Sequence, residues 1–514
     1  MSHLRRDAVL IFLLCTTTFF ATAKGHPWIE GDLQVRRSRL WLTTGSLGSA
    51  QPFNPAVDLQ GPDGRYYDVH GLLNIAAHVP FVAADPLIRR VAGTHWLDAS
   101  SALASLSGVI VNSITVVLLY MLLRGLALSA RASRITAVAF AFGTMLFVYA
   151  GTNFEGNLDL LLLVAALHSC FQYRRHTGAA RRTYVLWCGV TCGLALLGRD
   201  ANAAFVGLIG LDVLWSTWRE KRVATLATFV GGMLPCLLAL AWYNDIRTGS
   251  PFLTAINYRI LHGAYPFYRA SSPYGLLSLI ISPGGSVFAY SPVALLGVAG
   301  MRQCWRRLPR ETLLGGAFAV AMMVSMGLVE RWFGFAGWGP RYVMPVLPIL
   351  MISLAVWLDA PSATTTVRHR LTLLVLFFWA IPIQLAGSLV NWHARLDYIL
   401  RRPDLHEEVH WSPLMYTVRE SQWWDALTTL GRNVVGLMTG QLPTDMLSQL
   451  PTNLSAGTQY TAITLDTWWN RVLFEGGPVW LIDGYLVVSA LVIIAAAYAL
   501  FWQDAATTGE QGRL

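Results

Sequence analysis

Charged side chains are scarce in this 514-residue chain, where Asp, Glu, Lys and Arg together make up 13% of the sequence. Soluble domains contain about 25% charged residues, so this scarcity excludes an ordinary water-soluble globular protein. Apolar residues make up 54% of the sequence instead. The composition therefore predicts a membrane protein.

Nucleotide-binding motifs and cysteine patterns are also lacking. The sequence contains neither a P-loop nor a dinucleotide-binding fingerprint, which argues against ATP-driven transport. Its six cysteines show no metal-ligand spacing and no disulfide framework. The histidines form no pair with metal-binding spacing either. We therefore predict no cofactor, and a requirement for a divalent metal is the alternative that the sequence does not exclude.

Long apolar runs are what the sequence has in abundance. Spans of a bilayer need about 17–25 apolar residues, and this criterion indicates about twelve of them. The sequence therefore predicts an all-α polytopic membrane protein of about 12 transmembrane helices. The predicted spans are centred on residues 8–23, 101–123, 133–150, 156–172, 183–198, 201–217, 223–243, 286–301, 312–329, 341–358, 371–391 and 480–502.

Basic residues alternate between the connections of these spans. One set of connections holds clusters such as "YRRHTGAARR" and "RQCWRRLPR", and the positive-inside rule predicts that this set is cytoplasmic. Both termini are then cytoplasmic, and we expect a multi-pass protein of the cell membrane, with a bacterial inner membrane as its location. The net charge of +9 is explained by topology, so no nucleic-acid partner is needed. A cleaved signal peptide is the alternative interpretation of the first apolar segment.

Three long segments lie on the opposite, outer face in this topology, at residues 24–100, 244–285 and 392–479. They are rich in Trp, Tyr, Pro and Gly, and long connections in compact proteins are usually functional or disordered. We therefore expect a catalytic transmembrane region over residues 1–391. An outer-face region of unknown fold follows at 392–479, and the last transmembrane helix with a cytoplasmic tail at 480–514.

Charged residues near the outer ends of the spans are candidates for function. Asp32 lies in "EGDLQVRR" shortly after the first span, although a helix cap or an ion pair with Arg36 is an alternative role. Glu155 lies in "GTNFEGNLD" and Arg199 in "LLGRDAN". Arg341 follows a Gly/Pro-rich turn, which lets backbone and guanidinium approach a ligand closely.

Taken in order, several segments resemble the GT-C class of integral membrane glycosyltransferases. Within this class they are similar to the bacterial branch near the protein mannosyltransferases and the lipid A aminoarabinose transferases. The resemblance covers about residues 25–360, whereas the region after about 390 matches nothing. It is carried by "GDLQVRRSRLWLTTGSL", "DGRYYDVHGLL", "YNDIRTGSPF", "GLLSLIISPGGSVFAYSP" and "RWFGFAGWGPRYVMPVLP".

The resemblance implies transfer of a sugar from a polyprenyl-phosphate donor to a lipid, glycan or protein acceptor on the outer face of the membrane. By motif, Asp32 corresponds to the catalytic carboxylate, and Arg341 and Arg199 correspond to residues that bind the donor phosphate. Two departures concern the acceptor side: the acidic neighbour of Asp32 precedes it, and a histidine follows "YYDV". The residues expected to contact substrate are Glu30, Tyr67, His70 and Glu155.

This chemistry also accounts for the residue types without reference to a family. A polyprenyl phosphate leaves as an anion, so no general acid is required. One carboxylate that takes the acceptor proton contributes about 10²–10⁴-fold, and cations stabilise the charge that grows on the leaving phosphate. A transporter or lipid-carrier flippase and a non-catalytic glycan-assembly subunit are the alternative functions.

Overall fold

The computed structural model describes residues 2–26, 29–55, 57–92, 103–261, 274–328, 332–334, 337–360, 367–392, 413–450 and 455–502. Within these residues the regular structure is helical, except for one short antiparallel ladder in which Leu59 pairs with Tyr67 and Gln60 with Tyr66. The prediction of an all-α fold is confirmed.

The first half of the chain contains ten helices in its described part. They are α1 (Ser2–Thr22), α2 (Ile29–Thr44), α3 (Leu72–Ala92), α4 (Ser107–Gly125), α5 (Ala130–Gly143), α6 (Leu146–Ala150), α7 (Gly156–Arg175), α8 (Gly178–Gly198), α9 (Ala203–Glu220) and α10 (Val223–Thr248).

The second half contains both shorter helices and long apolar ones. They are α11 (Ala255–Leu261), α12 (Tyr274–Ile281), α13 (Val287–Tyr290), α14 (Ala294–Arg307), α15 (Pro309–Gly327), α16 (Leu347–Leu358), α17 (Val367–Leu389), α18 (Pro413–Tyr416), α19 (Gln422–Thr439), α20 (Ala456–Ile463), α21 (Trp468–Phe474) and α22 (Val479–Phe501). Short 3₁₀ helices cover Asp200–Asn202 and Arg341–Val346.

The predicted apolar runs all overlap helices, and the chain is a multi-pass membrane protein. Five helical stretches are long and apolar enough to cross a membrane by length and composition. The total of twelve spans and their orientation stay predictions. The five stretches are Leu103–Gly125, Val223–Thr248, Arg341–Leu358, Leu371–Leu389 and Val479–Phe501.

Small residues bring the helices of the bundle close together. Helix α8 packs against both α7 and α10, and Gly189 faces α10 so closely that a Cβ would lie 2.1 Å from the carbonyl oxygen of Phe229. Gly193, one turn further, approaches Met233 in the same way. This spacing of small residues is the usual means of close helix packing in membranes, where burial against lipid supplies little driving force.

The helical structure is interrupted within residues 274–301, and this break lies inside the protein. Helix α12 ends at Ile281, and α13 begins only at Val287. The backbone N–H of Gly284 donates to the carbonyl oxygen of Met415 at 2.9 Å. Non-helical backbone in a membrane protein requires such internal partners, and here they come from the C-terminal part of the chain.

Candidate functional site

Glu30 and Arg341 form the central ion pair of the site. Helix α2 begins at Ile29, so Glu30 lies in its first turn. Arg341 begins a 3₁₀ helix, and its two terminal nitrogens donate to the two carboxylate oxygens of Glu30 at 2.8 and 2.9 Å. Bidentate pairs of this kind fix geometry as well as charge. The Arg341 side chain is buried, whereas that of Glu30 is 21% exposed.

The glycines before Arg341 let its side chain fold back against its own turn. A Cβ on Gly337 would lie 2.4 Å from Cδ of Arg341 and 2.9 Å from the Tyr149 hydroxyl. Gly339 has a φ of +60°, a backbone conformation that favours glycine. In the structure the arginine side chain occupies the space beside Gly337, and the close approach of a ligand to this Gly/Pro-rich turn stays a prediction.

His70 is held between carboxylates. Its Nδ1 lies 2.6 Å from Asp68 Oδ1, and its Nε2 lies 3.7 Å from Glu155 Oε2. Arg247, near the end of α10, fixes the backbone of this segment by donating to the carbonyl oxygens of residues 68, 69 and 70. The segment and α10 are far apart in sequence, so this arrangement depends on tertiary packing.

Arg199 lies at the end of α8, close to two acidic residues at the start of α7. Its guanidinium nitrogens are 3.7 Å from Glu155 Oε1 and 3.5 Å from Asp159 Oδ2. Asn202 donates to Asp159 Oδ1 at 2.9 Å. The guanidinium groups of Arg199 and Arg341 both lie over the ring of Tyr342, at 5.5 and 5.1 Å from its centroid.

These groups converge on one small volume and alter each other's protonation. Potential ligand atoms of Glu30, His70 and Glu155 lie within 4.8 Å of one another. Burial opposes ionisation of Glu30, but the charge and hydrogen bonds of Arg341 outweigh it and lower the pKa of Glu30. Burial also opposes protonation of His70, but Asp68 and Glu155 raise its pKa to about 10. At neutral pH the site therefore combines an ionised Glu30 with a positively charged His70.

A cavity of about 110 Å³ adjoins this cluster. Glu155 lines it and thereby connects it to His70 and Arg199. Aromatic rings and side-chain amides contribute the rest of the wall, together with small and aliphatic residues. The polar and aromatic lining residues include Asn74, His78, Phe81, Asn153, Phe154 and Asn157.

Two of the residues singled out from the sequence have other partners. Asp32 is paired with Arg36 one turn along α2, at 2.8 Å, which is the alternative role considered for it. Tyr67 is buried and donates to Asp63 Oδ2 at 2.8 Å. The roles predicted for both residues stay predictions. The cluster around Arg341 contains Glu30, His70, Glu155 and Arg199, all of which were singled out from the sequence.

Sequence reasoning missed the residues that support the cluster. Asp159 follows Glu155 by four residues, a spacing that places both on one helix face, and this signal was available in "GTNFEGNLD". Asp68 stands two residues before His70 in "YYDVHG". Nothing local indicates that Arg247 binds the carbonyl groups of this segment, since its partners lie about 180 positions away.

Glu30, His70 and Glu155 are also the group of ligand-type residues, among those described, that could hold a metal ion. Imidazole and carboxylate ligands suit several divalent metals. Both oxygens of Glu30, however, already accept hydrogen bonds from Arg341. Oε2 of Glu155 is buried and has no hydrogen-bond partner among the described residues. A metal ion would therefore compete with arginine for Glu30.

No family model and no curated protein sequence matches the chain, but solved structures do. ArnT from Cupriavidus metallidurans bound to undecaprenyl phosphate is 18% identical, with a TM-score of 0.49 over 87% of this chain and 80% of that chain. An Archaeoglobus fulgidus oligosaccharyltransferase with Zn and sulfate is 15% identical, with a TM-score of 0.49 over 81% and 58%. The S. cerevisiae protein O-mannosyltransferase Pmt1-Pmt2 complex bound to the sugar donor is 15% identical, with a TM-score of 0.30 over 52% and 36%. These structural neighbours are GT-C-type glycosyltransferases, the class that the sequence motifs resemble.

Proposed function

We propose that this protein is a membrane glycosyltransferase that moves a sugar from a polyprenyl-phosphate donor to a lipid, glycan or protein acceptor on the outer face of the membrane. The observation that carries the proposal is the bidentate Glu30–Arg341 pair. It lies beside Arg199, His70 and Glu155, next to a cavity. We assign the role of general base to Glu30 rather than to Asp32, because Glu30 is the acidic residue of α2 that contacts Arg341.

The reaction requires one proton transfer and one displacement. Glu30 takes the proton from an acceptor hydroxyl as the oxygen attacks the anomeric carbon of the sugar. The bond between that carbon and the phosphate oxygen breaks, and its electron pair leaves with the polyprenyl phosphate. Attack opposite the leaving group inverts the anomeric carbon. Positive groups near the phosphate stabilise the negative charge that it gains.

Arg341 connects donor binding to activation of the base. In the structure its two terminal nitrogens both bind Glu30, which lowers the pKa of Glu30 and makes it a weaker base. A donor phosphate that binds Arg341 competes with Glu30 for the same nitrogens. Once Arg341 turns to the phosphate, burial raises the basicity of Glu30, so the base becomes active when the donor is present. This predicts that the donor binds before the acceptor loses its proton.

Arg199 and His70 supply further positive charge for the phosphate. Arg199 is 24% exposed at its side chain, and its guanidinium lies 3.7 Å from Glu155 Oε1, which belongs to a residue that lines the cavity. His70 stays protonated at neutral pH because of its carboxylate neighbours. With two guanidinium groups and an imidazolium in place, we propose that the reaction needs no divalent metal.

A transfer assay distinguishes this proposal from its rivals. Purified protein in detergent is incubated with polyprenyl-phospho-sugars and a set of lipid and glycan acceptors, and the product is detected by mass spectrometry. A glycosidic product together with free polyprenyl phosphate supports the enzyme. Translocation of the intact lipid across vesicles with no product supports a flippase. Tight glycan binding that is the same in the wild type and in Glu30→Gln supports a non-catalytic assembly subunit.

A further inference from the structure

Gln422, the first residue of α19, contacts the turn that carries Arg341. Its Nε2 donates to the carbonyl oxygen of Gly337 at 3.1 Å, and its Oε1 accepts from the backbone N–H of Gly339 at 3.1 Å. The Tyr290 hydroxyl donates to the same Oε1 at 3.3 Å. Gln422 belongs to the 392–479 region, for which the sequence offered no role.

The two backbone contacts require both functions of an amide side chain. One end of the Gln422 amide donates and the other accepts, so it pairs with residues 337 and 339 much as a neighbouring strand would. A carboxylate at this position would have no N–H for the Gly337 carbonyl oxygen. Backbone groups that lose their partners inside a protein cost free energy.

The residue between these two contacts is fixed from the other side. Tyr149 donates its hydroxyl hydrogen to the carbonyl oxygen of Trp338 at 2.9 Å, and the same hydroxyl oxygen accepts from the Trp338 N–H at 2.7 Å. Gln422 and Tyr149 together therefore engage the polar backbone groups of three consecutive residues. Arg341 follows two residues later, and its own N–H donates to the Gly339 carbonyl oxygen.

The start of α19 is itself attached to another part of the protein by hydrogen bonds, so Gln422 can act as a support. Trp423 is buried, and its Nε1 donates to the carbonyl oxygen of Pro283 at 2.8 Å. Met415, a few residues earlier, accepts from the N–H of Gly284. These contacts attach the C-terminal region to the helix break at residues 283–285.

We propose that Gln422 is a positioning residue, which holds the 337–341 turn so that the Arg341 guanidinium meets Glu30. The catalytic meaning of this contact rests on the proposed function, whereas the contact itself does not. The C-terminal region thus contributes to the site from outside residues 25–360, the range in which the sequence motifs resemble glycosyltransferases.

Hydrogen exchange of the full-length protein in detergent tests the contact without any substrate. We expect exchange in a peptide covering residues 337–346 to rise about fivefold in Gln422→Ala and Gln422→Glu, because each variant removes at least one hydrogen bond to the turn, worth about 1 kcal/mol. The control is Thr428→Ala on the exposed face of α19. Unchanged exchange in both Gln422 variants, or an equal rise in the control, would overturn the proposal.

Kinetics test the consequence for Arg341. We expect Gln422→Glu, which has the size of the native residue, to lower kcat/KM for the donor at least tenfold and to leave KM for the acceptor within about twofold. The acidic limb of its pH profile should move to higher pH, because a displaced Arg341 no longer lowers the pKa of Glu30. If this variant has the acidic pH limb of the wild type and the same kcat/KM for the donor, the positioning role is contradicted. If the wild type transfers no sugar at all, the proposed function fails while the exchange result still decides the contact.

Discussion

Two buried ion pairs in this molecule differ in how completely their polar atoms are satisfied. Lys24 and Asp466 are each 1% exposed at the side chain, and Lys24 donates both to Asp466 at 2.9 Å and to the Val390 carbonyl oxygen at 2.8 Å. His26 is a second partner of Asp466 at 3.1 Å. Burial opposes ionisation of Asp466, but Lys24 and His26 outweigh it and lower its pKa.

The pairs around Glu30 and Arg341 are less complete. Oε2 of Glu155, Oδ2 of Asp159 and Nε of Arg341 are buried and have no hydrogen-bond partner among the described residues. Nε2 of His70 lies 3.7 Å from Glu155 Oε2, and a guanidinium nitrogen of Arg199 lies 3.5 Å from Asp159 Oδ2. Buried groups left in this state are costly unless a ligand supplies the missing contacts. We interpret the pair at Asp466 as a structural clamp, and the less complete contacts near Arg341 as part of the proposed binding site.

The largest effect should come from removing the proposed base. We expect Glu30→Gln to lower the rate of sugar transfer by about 10²–10⁴-fold, the usual contribution of a general base. Asp32→Asn is the matched control on the same helix, and it should stay within about threefold of the wild type because an exposed i,i+4 pair contributes about 0.3–0.5 kcal/mol. The reverse result would restore the role that the sequence motif gave to Asp32.

Removing Arg341 should both weaken donor use and change the pH profile. We expect Arg341→Ala to lower kcat/KM for the donor by about 10²-fold, the effect of losing one charge-stabilising group. Arg341 lowers the pKa of Glu30 against the effect of burial, so its removal leaves burial to raise that pKa. The acidic limb of activity should therefore move to higher pH. An equal loss of kcat/KM for donor and acceptor, with the acidic limb of the pH profile unchanged, would contradict the role of Arg341 in binding the phosphate.

Breaking the clamp should affect stability more than chemistry. We expect Asp466→Asn to lower the free energy of unfolding by about 3–5 kcal/mol, because it leaves a buried lysine without its counter-ion. Replacing both partners, as in Lys24→Met with Asp466→Leu, should recover much of that loss. Thermal unfolding in detergent measures both variants. A stable Asp466→Asn protein that has lost transfer would mean that this pair belongs to the site.

Metal removal should have the smallest effect. We expect protein treated with EDTA and then dialysed to transfer sugar at the untreated rate, since the positive charge near the phosphate comes from Arg341, Arg199 and His70. Added Mg²⁺, Mn²⁺ or Zn²⁺ should not raise the rate. A loss that one of these ions restores would favour a metal site formed by Glu30, His70 and Glu155.

Much of the fold follows from local sequence signals. Apolar runs indicated where the long helices lie. The tertiary contacts of the region after residue 390 were not predictable in this way, because they are formed with distant segments. Gln422 binds a turn about 80 residues earlier, and Asp466 binds a lysine more than 400 residues earlier.

The membership of the site was more predictable than the role of each member. The motifs pointed to Glu30, His70, Glu155, Arg199 and Arg341, and the structure brings these five together. The choice between Glu30 and Asp32 depends on the phase of α2. Residues two apart on a helix are separated by about 200° around its axis, so only one of the two can face Arg341. The sequence motif does not show where the helix begins, so it could not show which of the two carboxylates faces Arg341.

A double-mutant cycle tests most directly whether Glu30 is the partner of Arg341. Sugar transfer is measured for Glu30→Gln, Arg341→Ala and the double variant, and in parallel for Asp32→Asn combined with Arg341→Ala. We expect the first pair to be strongly non-additive, with the double variant no slower than the slower single variant, and the second pair to be additive. Additive losses for Glu30 together with coupling between Asp32 and Arg341 would contradict the account.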